Sequence, residues 1–350
     1  MSTVEIEIGG RLFSGWKSVR IDTDIESLSS SFSVGARDKD GLLSSIVAGT
    51  ECKVYIVDKT KKLVLDGHVV QRERSLTSSA HDVSISGNDK LADLVDCSAI
   101  KSNRVWIKKK FTAIIKAVAS EFSIDVNTTA VASDPIIDKY VLQTGESAFD
   151  TIERLCRTQG VLPISSFDGK LILSYAATAA ERCVENLVVG QNILDIKETS
   201  DWNERFSQYI CISQNAGNGK KWDAAILQCK AVSSDASVTR YRPKLFTAEN
   251  RSDNAMLVKR ANWEAQVRAG RSTTYSLSVY GWFQKIAGIP TTTLWEKNKR
   301  INLKVDAWDI DEELLVTSVS YSLDDNGEIT SLTLRHPDTY LKDPTASISI

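Results

Sequence analysis

The sequence predicts a mainly β protein with α+β insertions, built as two related small β-barrels flanking a mixed helix and strand module. Three observations predict it. Apolar residues recur at every second position through the first ninety residues and again beyond residue 183, the period of a half-buried strand. From about residue 89 the apolar spacing lengthens to that of a helix. The layout of residues 52–91 returns in 301–341 at an offset near 250, as a duplicated unit would. The expected divisions are 1–90, a first barrel; 91–180, the mixed module; and 181–350, a second barrel with a helical insertion near 253–269 and a strand-rich C-terminus.

In the first division Val4, Ile6 and Ile8 alternate with Glu5 and Glu7 up to Gly9-Gly10, a hairpin signal. Trp16-Val19-Ile21, Phe32-Val34 and Cys52-Val54-Ile56 continue the strands. A charged turn over residues 58–62 then leads into Leu63, Leu65, Val69, Val83 and Ile85. Short strands at this spacing suit a small sandwich or barrel.

The middle division opens with a short helix over 90–97, with Leu91, Leu94 and Val95 on one face. A second helix, 111–122, carries Phe111, Ile114, Ile115, Val118 and Phe122 at helical spacing. The third, 147–159, starts on a capping-box pair, Ser147 and Asp150, buries Phe149, Ile152, Leu155 and Cys156, and stops at Gly160. Residues 161–164 and 171–173 then read as a hairpin about Phe167-Asp168-Gly169-Lys170.

Strands are expected again at 187–189, 193–196, 209–212 and 225–228, with an exposed turn at Gly217-Asn218-Gly219. A helix over 253–269 would align Met256, Leu257, Arg260, Trp263 and Val267 along one side. Tyr275-Leu277-Val279 and Ile301-Leu303-Val305 alternate as strands. The echo pairs Val54-Ile56 with Leu303-Val305, Val64-Leu65 with Leu314-Leu315, Val69 with Val319, and Val83-Ile85 with Leu332-Leu334. Asp89 and Leu91 then match Asp338 and Leu341.

Composition narrows the function. The 43 Lys and Arg nearly cancel the 45 Asp and Glu of this 350-residue chain, leaving a net charge of -2. Affinity resting on phosphate neutralisation is therefore not expected. Cys52, Cys97, Cys156, Cys183, Cys211 and Cys229 stand too far apart for a zinc site or a dense disulfide framework; they read as reduced thiols serving as small hydrophobes. No export signal and no membrane-length apolar run are visible, so the chain is expected to fold in cytosol.

The sequence offers no catalytic constellation. Nucleophile-elbow, phosphate-loop, dinucleotide, zinc-protease and calcium-loop motifs are missing from the sequence. His68, His81 and His336 each sit in a strand-like segment without a second histidine nearby. Asp324-Asp325 and Glu312-Glu313 read as solvated turn acids, not as a glycosidase pair converging across a cleft. Lys108-Lys109-Lys110, with Lys101, Arg104 and Trp106, is the one basic and aromatic patch; it reads as the wet shoulder before a helix more than as a nucleic-acid site. Arg260, Trp263 and Arg268 read as part of a packing helix. No catalytic, cofactor-binding or metal-binding residue is nominated.

One segment carries a signature. Tyr140-Val-Leu-Gln143-Thr-Gly145-Glu146-Ser-Ala-Phe149, running on through Arg154-Leu155 to Gly160, resembles phage baseplate hub proteins and the related VgrG spikes of type VI secretion. There a strand leads through a Gly/Ser-Glu-Ser turn into a helix that ends on glycine before a hairpin. Ser86-Gly87-Asn88-Asp89 through Ser98, Leu294-Trp295-Glu-Lys-Asn298, and Leu314-Leu315-Val316 through Asp324-Asp325 to Leu332-Thr-Leu334 resemble the Mu-like branch. With the opening Gly10-Arg-Leu-Phe to Trp16-Lys17-Ser18, the resemblance covers nearly the whole chain in order.

The resemblance implies a structural baseplate hub of a contractile tail, or of a tail-like particle. Such hubs share the T4 hub fold and assemble as a homotrimer whose six like modules form a pseudo-sixfold ring. The ring would join a hexameric tail tube to a trimeric central spike and enclose the DNA channel without binding DNA specifically. Tape-measure and baseplate wedge proteins would be further neighbours. The spike and any lysozyme-like activity are expected on other polypeptides. No enzyme activity, cofactor or membrane insertion is implied, and the place is the virion baseplate after assembly in the bacterial cytoplasm. The alternatives from other classes are a cell-wall hydrolase on β modules and a carbohydrate-binding β module, the latter encouraged only by the eight tryptophans.

Overall fold

The computed structural model describes residues 2–38, 41–100, 104–131, 133–214, 228–248 and 254–340. The N-terminal strands are β1 (Thr3–Ile8), β2 (Arg11–Phe13), β3 (Ser18–Asp24), β4 (Ser31–Arg37), β5 (Glu51–Val57), β6 (Lys61–Leu76) and β7 (His81–Asp89). The middle holds α1 (Ala92–Asp96), β8 (Val105–Lys110), α2 (Phe111–Ser120), β9 (Val126–Asn127), β10 (Ile136–Val141), α3 (Ala148–Gln159), β11 (Leu162–Ser165) and β12 (Leu171–Ser174). Then come β13 (Leu187–Val188), β14 (Ile193–Ser200), β15 (Gln208–Gln214), β16 (Gln228–Ser234), β17 (Pro243–Thr247) and α4 (Asn254–Arg271). The chain continues through β18 (Thr273–Tyr280), β19 (Phe283–Ile286), β20 (Ile289–Leu294), β21 (Arg300–Val305), β22 (Ile310–Asp324) and β23 (Gly327–Arg335).

The architecture is mainly β, but the two expected barrels do not close. Thirteen strands form one sheet, in the order β14-β18-β23-β22-β3-β4-β7-β6-β5-β1-β2, with β21 and β13 branching from β22. The reason lies in β3. Its outer edge pairs antiparallel with β22 of the other half, Leu323 opposite Val19 and Tyr321 opposite Ile21, instead of returning to β2 of its own. One hydrophobic core therefore runs under both halves, from Val4, Ile6 and Val54 to Leu303, Val319 and Leu334.

The duplication is visible in the pairing itself. Strands β3-β4-β7-β6-β5-β1 are hydrogen-bonded in the same succession as β14-β18-β23-β22-β21-β13. Both sets follow the same chain order. β6 and β22 each carry a bulge where they pair with the following strand, between Val69 and Gln71 and between Val316 and Ser318. One difference stands: β1 meets β5 antiparallel, whereas β13 meets β21 parallel. The bulges also correct the register read from the sequence. Val69 corresponds to Val316, not Val319, while Val54 keeps Leu303. Leu341, the last residue of the echo, lies outside the described residues.

The middle segment packs α1, α2 and α3 on their own core with Trp106, Tyr140 and Leu171. A capping box at Ser147 and Asp150 and a left-handed Gly160 delimit α3. The lysine run is the exposed shoulder before α2 that the sequence suggests, and it belongs to β8, which pairs with β10. Trp106 and Tyr140 point inward from this ribbon, while Val105, Ile107 and Val141 are exposed.

In the last division β15, β16 and β17 form a small sheet whose inner face, Cys211 and Ala231, rests on Leu257 and Ala261 of α4. Of the stripe expected on α4, Leu257 and Val267 are buried, while Met256 is exposed and Trp263 half-buried; Ala261, Ala265, Ala269 and Gly270 complete the buried face. Small residues allow close approach, and a Cβ at Gly270 would overlap the Thr339 side chain. The expected turn at 217–219, most of the strand at 225–228 and the first helical residue, 253, lie outside the described residues.

Candidate assembly surface

The strands that alternate apolar-in and polar-out give the sheet a second face with an unusual composition. On β3, β4 and β7 the residues Val19, Ile21, Phe32, Val34, Val83 and Ile85 turn to the core. Strand periodicity then turns Ser31, Ser33, Ser84 and Ser86 to the other side. β22 does the same with Ser318, Ser320 and Ser322.

These side chains align across the ladder. Asp195, Ser278, Ser331, Ser320, Asp22, Ser31 and Asn88 are successive register partners, from β14 to β7. Two of the acids on this face are held locally. Arg20 Nε donates to both Asp22 carboxylate oxygens at 2.8 and 3.1 Å, and the Ser278 hydroxyl donates to Asp195. The result is a broad hydroxyl surface without a cationic row that could follow a phosphate backbone.

Among the described residues, both outer edges of the eight-stranded belt β14-β18-β23-β22-β3-β4-β7-β6 lack a neighbouring strand. At one end β14 pairs with β18, and among the described residues it makes besides that just the isolated bridge Ile193–Val189. At the other, β6 pairs with β5 only over Lys61–His68, which leaves one edge of Gln71–Leu76 without a neighbouring strand. Unpaired edges of this length are templates for pairing with another chain.

Among the described residues no group of three or more His, Cys, Asp or Glu converges to hold a metal ion. No helix among them is long and apolar enough to cross a membrane. The acids Glu312-Glu313 are not in a turn: they lie on β22, where Glu313 takes Arg300 at 2.6 Å and Arg182 Nε at 2.7 Å. Asp324 does sit at a turn, accepting from the Asn326 amide at 2.7 Å. Cys52, Cys156, Cys183 and Cys211 are buried and all described cysteines are free; burial pushes the Cys52 and Cys183 thiols up to about 12.

Comparison with known proteins decides the family. Residues 3–89 match the Mu phage baseplate assembly protein GpP-like N-terminal model, 91–175 the baseplate hub protein gp44-like second domain, and 253–343 the GpP fourth domain. The baseplate hub protein gp44 of Escherichia phage Mu is 29% identical over 332 residues, covering 93% of this chain and 85% of that protein. It belongs to the Mu-like baseplate hub family.

Solved structures agree. The 43 kDa tail protein of prophage MuSo2 from Shewanella oneidensis matches with a TM-score of 0.83 at 26% identity, over 97% of this chain and 99% of that one. At the level of fold alone, the E. coli c3393 protein matches with a TM-score of 0.57 at 11% identity, over 97% and 79% of the two chains. That protein is described as a type VI secretion component similar to the T4 tail proteins gp27 and gp5.

In this baseplate hub protein the segments that carried the resemblance turn out to be clamps. Glu146, from the turn, receives both Arg154 Nε and Nη2 at 2.8 and 3.0 Å, and Nη2 also reaches the Val141 carbonyl. The guanidinium lies over the Tyr140 ring, whose hydroxyl donates to the Thr151 carbonyl at 2.6 Å. One ion pair thus ties strand, turn and helix together. In the Trp295–Asn298 segment, Trp295 is buried. Asn298, left-handed at φ 55°, bonds Tyr175 and Ala177 of the preceding segment at 3.0 and 2.9 Å.

Lys297 sits at the meeting point of β3, β11 and this segment. Its Nζ donates to the Asp24 carbonyl at 3.1 Å and to the Ser165 hydroxyl at 2.8 Å. Burial pushes its pKa down to about 8, against the opposing pull of Asp89 and Asp24. Between that value and the ordinary lysine range, the unfolded chain holds a proton that the folded chain has released. Stability therefore gains a rising component as pH increases above about 8. Denaturant midpoints at pH 7.5 and 9.5 check this: the wild type should gain relative to Lys297→Met, and parallel behaviour would contradict it.

Proposed function

We propose that three copies of this chain form the hub ring of a contractile tail, joining a sixfold tail tube to a threefold central spike around the DNA channel. The carrying observation is the repeated six-strand order. Each chain supplies two like modules, so a closed trimer presents six. A sixfold partner can then sit on one face and a threefold partner on the other. The division of labour follows the boundaries 1–90, 91–180 and 181–350, with the first and last contributing the ring.

The belt β14-β18-β23-β22-β3-β4-β7-β6 has eight strands, and three copies would bring twenty-four around one axis. At about 4.8 Å per strand and a tilt near 40°, such a closed wall is about 50 Å across between backbones. That leaves room for a DNA duplex after side chains. Facing the axis, the hydroxyl surface would let DNA slide past, because no phosphate-neutralising array holds it. The role is geometric and no bond is made or broken. Tape-measure and wedge proteins are the remaining neighbours in this reading, and assembly takes place in the host cytoplasm. The carbohydrate-binding alternative is weakened by the burial of Trp16, Trp106, Trp282 and Trp295, with Trp202 and Trp308 left exposed.

Light scattering after size exclusion, across a dilution series, tests the reading. A species three times the 38.6 kDa of one chain is expected. A strict monomer that persists with the spike protein added would contradict it.

A further inference from the structure

Resting on the ring reading above, we propose that the free edge of β14 in one copy pairs antiparallel with Gln71–Leu76 of β6 in the next, Arg74 opposite Glu198 and Leu76 opposite Ile196. The template is inside the chain. Within one copy the two modules are joined by β3 on β22, with Val19 opposite Leu323 and Ile21 opposite Tyr321. If the modules are equivalent around a ring, the counterpart of β3, which is β14, must meet the counterpart of β22, which is β6. Those are the two edges of the belt that, among the described residues, have no strand beside them.

The register follows from the ladder without adjustment. Matching the two bulges sets Val319 on Arg72, Tyr321 on Arg74 and Leu323 on Leu76. Val319 faces Leu332 and Arg72 faces Ile85, so Leu332 corresponds to Ile85. Leu332 pairs with Leu277 and Ile85 with Val34. Leu277 in turn pairs with Ile196, and Val34 with Val19. Ile196 is therefore the counterpart of Val19, and Glu198 that of Ile21. Carrying the β3·β22 register across places Leu76 on Ile196, Arg74 on Glu198 and Ser75 on Lys197.

The chemistry of the two edges fits that register, though nothing in the mapping used it. Leu76 is 82% exposed in the single chain, and Ile196 is a half-buried apolar neighbour of the shared core. Arg74 and Glu198 are exposed and have no ion-pair partner among the described residues. On the other face Glu73 falls diagonal to Lys197, within reach of long side chains. Each chain offers one edge of each kind, so the contact is head-to-tail. Such a contact closes only if the turn per module is a whole fraction of a circle; two modules per chain and three chains satisfy a sixth of a turn.

Cysteine cross-linking tests this in a background where the exposed Cys97 is serine. Adjacent opposed pairs alternate between narrow and wide spacing, so both Arg74→Cys with Glu198→Cys and Ser75→Cys with Lys197→Cys are made. At least one should give covalent dimers and trimers on oxidation, and none should appear with either cysteine alone or with Gln71→Cys plus Ile196→Cys. Charge reversal is the second arm. Arg74→Glu or Glu198→Arg should weaken association about tenfold per junction, and the double reversal should restore it. A trimer by mass that neither pair cross-links and neither reversal weakens would overturn the junction while leaving the ring. A chain that never forms a trimer would overturn the ring reading and this junction with it.

Discussion

Asp235→Ala should cost about 3–5 kcal/mol of unfolding free energy, the range for removing one partner of a buried ion pair. Arg205 Nε donates to Asp235 at 2.5 Å, and the two side chains are 4% and 0% exposed. Arg205 also reaches the Ser272 hydroxyl at 3.3 Å and lies over the Trp202 ring. The pair thereby fastens the strand end of β16 to the chain just beyond α4. Without Asp235, a guanidinium stays buried with its main acceptor gone. Replacing both residues, as Arg205→Met with Asp235→Leu, should cost much less, because no lone charge remains. Urea denaturation of the three variants checks this, and equal losses in single and double variants would contradict it.

Arg154→Leu should cost about 3 kcal/mol. It removes both hydrogen bonds to Glu146 and leaves that carboxylate in a site where only 10% of the side chain is exposed. The capping box at Ser147 should survive, since it does not use Arg154. The loss should therefore fall on docking of the 140–146 turn to α3, and hydrogen exchange should show deprotection at Val141 to Gln143 before the helix opens. Uniform deprotection of the helix would count against this division of roles.

These two pairs mark where sequence reading succeeds and where it stops. Glu146 and Arg154 are eight residues apart, between a turn and the helix it starts, so the pair sits in a local pattern that a family signature preserves. Arg205 and Asp235 are thirty residues apart with no periodic or motif signal linking them. The same contrast holds for the fold. The β1–β2 hairpin, α2 and α3 are carried by alternation, stripe and caps within a few residues. β8 was hidden because its last three residues are lysines, and Lys108 takes a left-handed φ of 49°. Its strand character comes from pairing with β10, more than twenty residues on.

Non-closure of the barrels has the same cause at longer range. Whether β3 returns to β2 or crosses to β22 depends on a pairing between residues nearly three hundred positions apart. No window of sequence contains that choice. The hydroxyl face was present as alternating serines, but which face they shared, and with which strands, required the ladder register. Glu313 reads as a turn acid in the sequence because its partners, Arg300 and Arg182, come from other segments.

In the proposed ring, six like modules from three chains surround a channel walled by the serine-rich face. Averaged electron-microscopic images of the purified oligomer test it most directly. The prediction is a closed ring with threefold symmetry and six similar modules, Ser33, Ser86 and Ser320 facing the axis. An open or two-fold assembly, or a ring with that face turned outward, would contradict it.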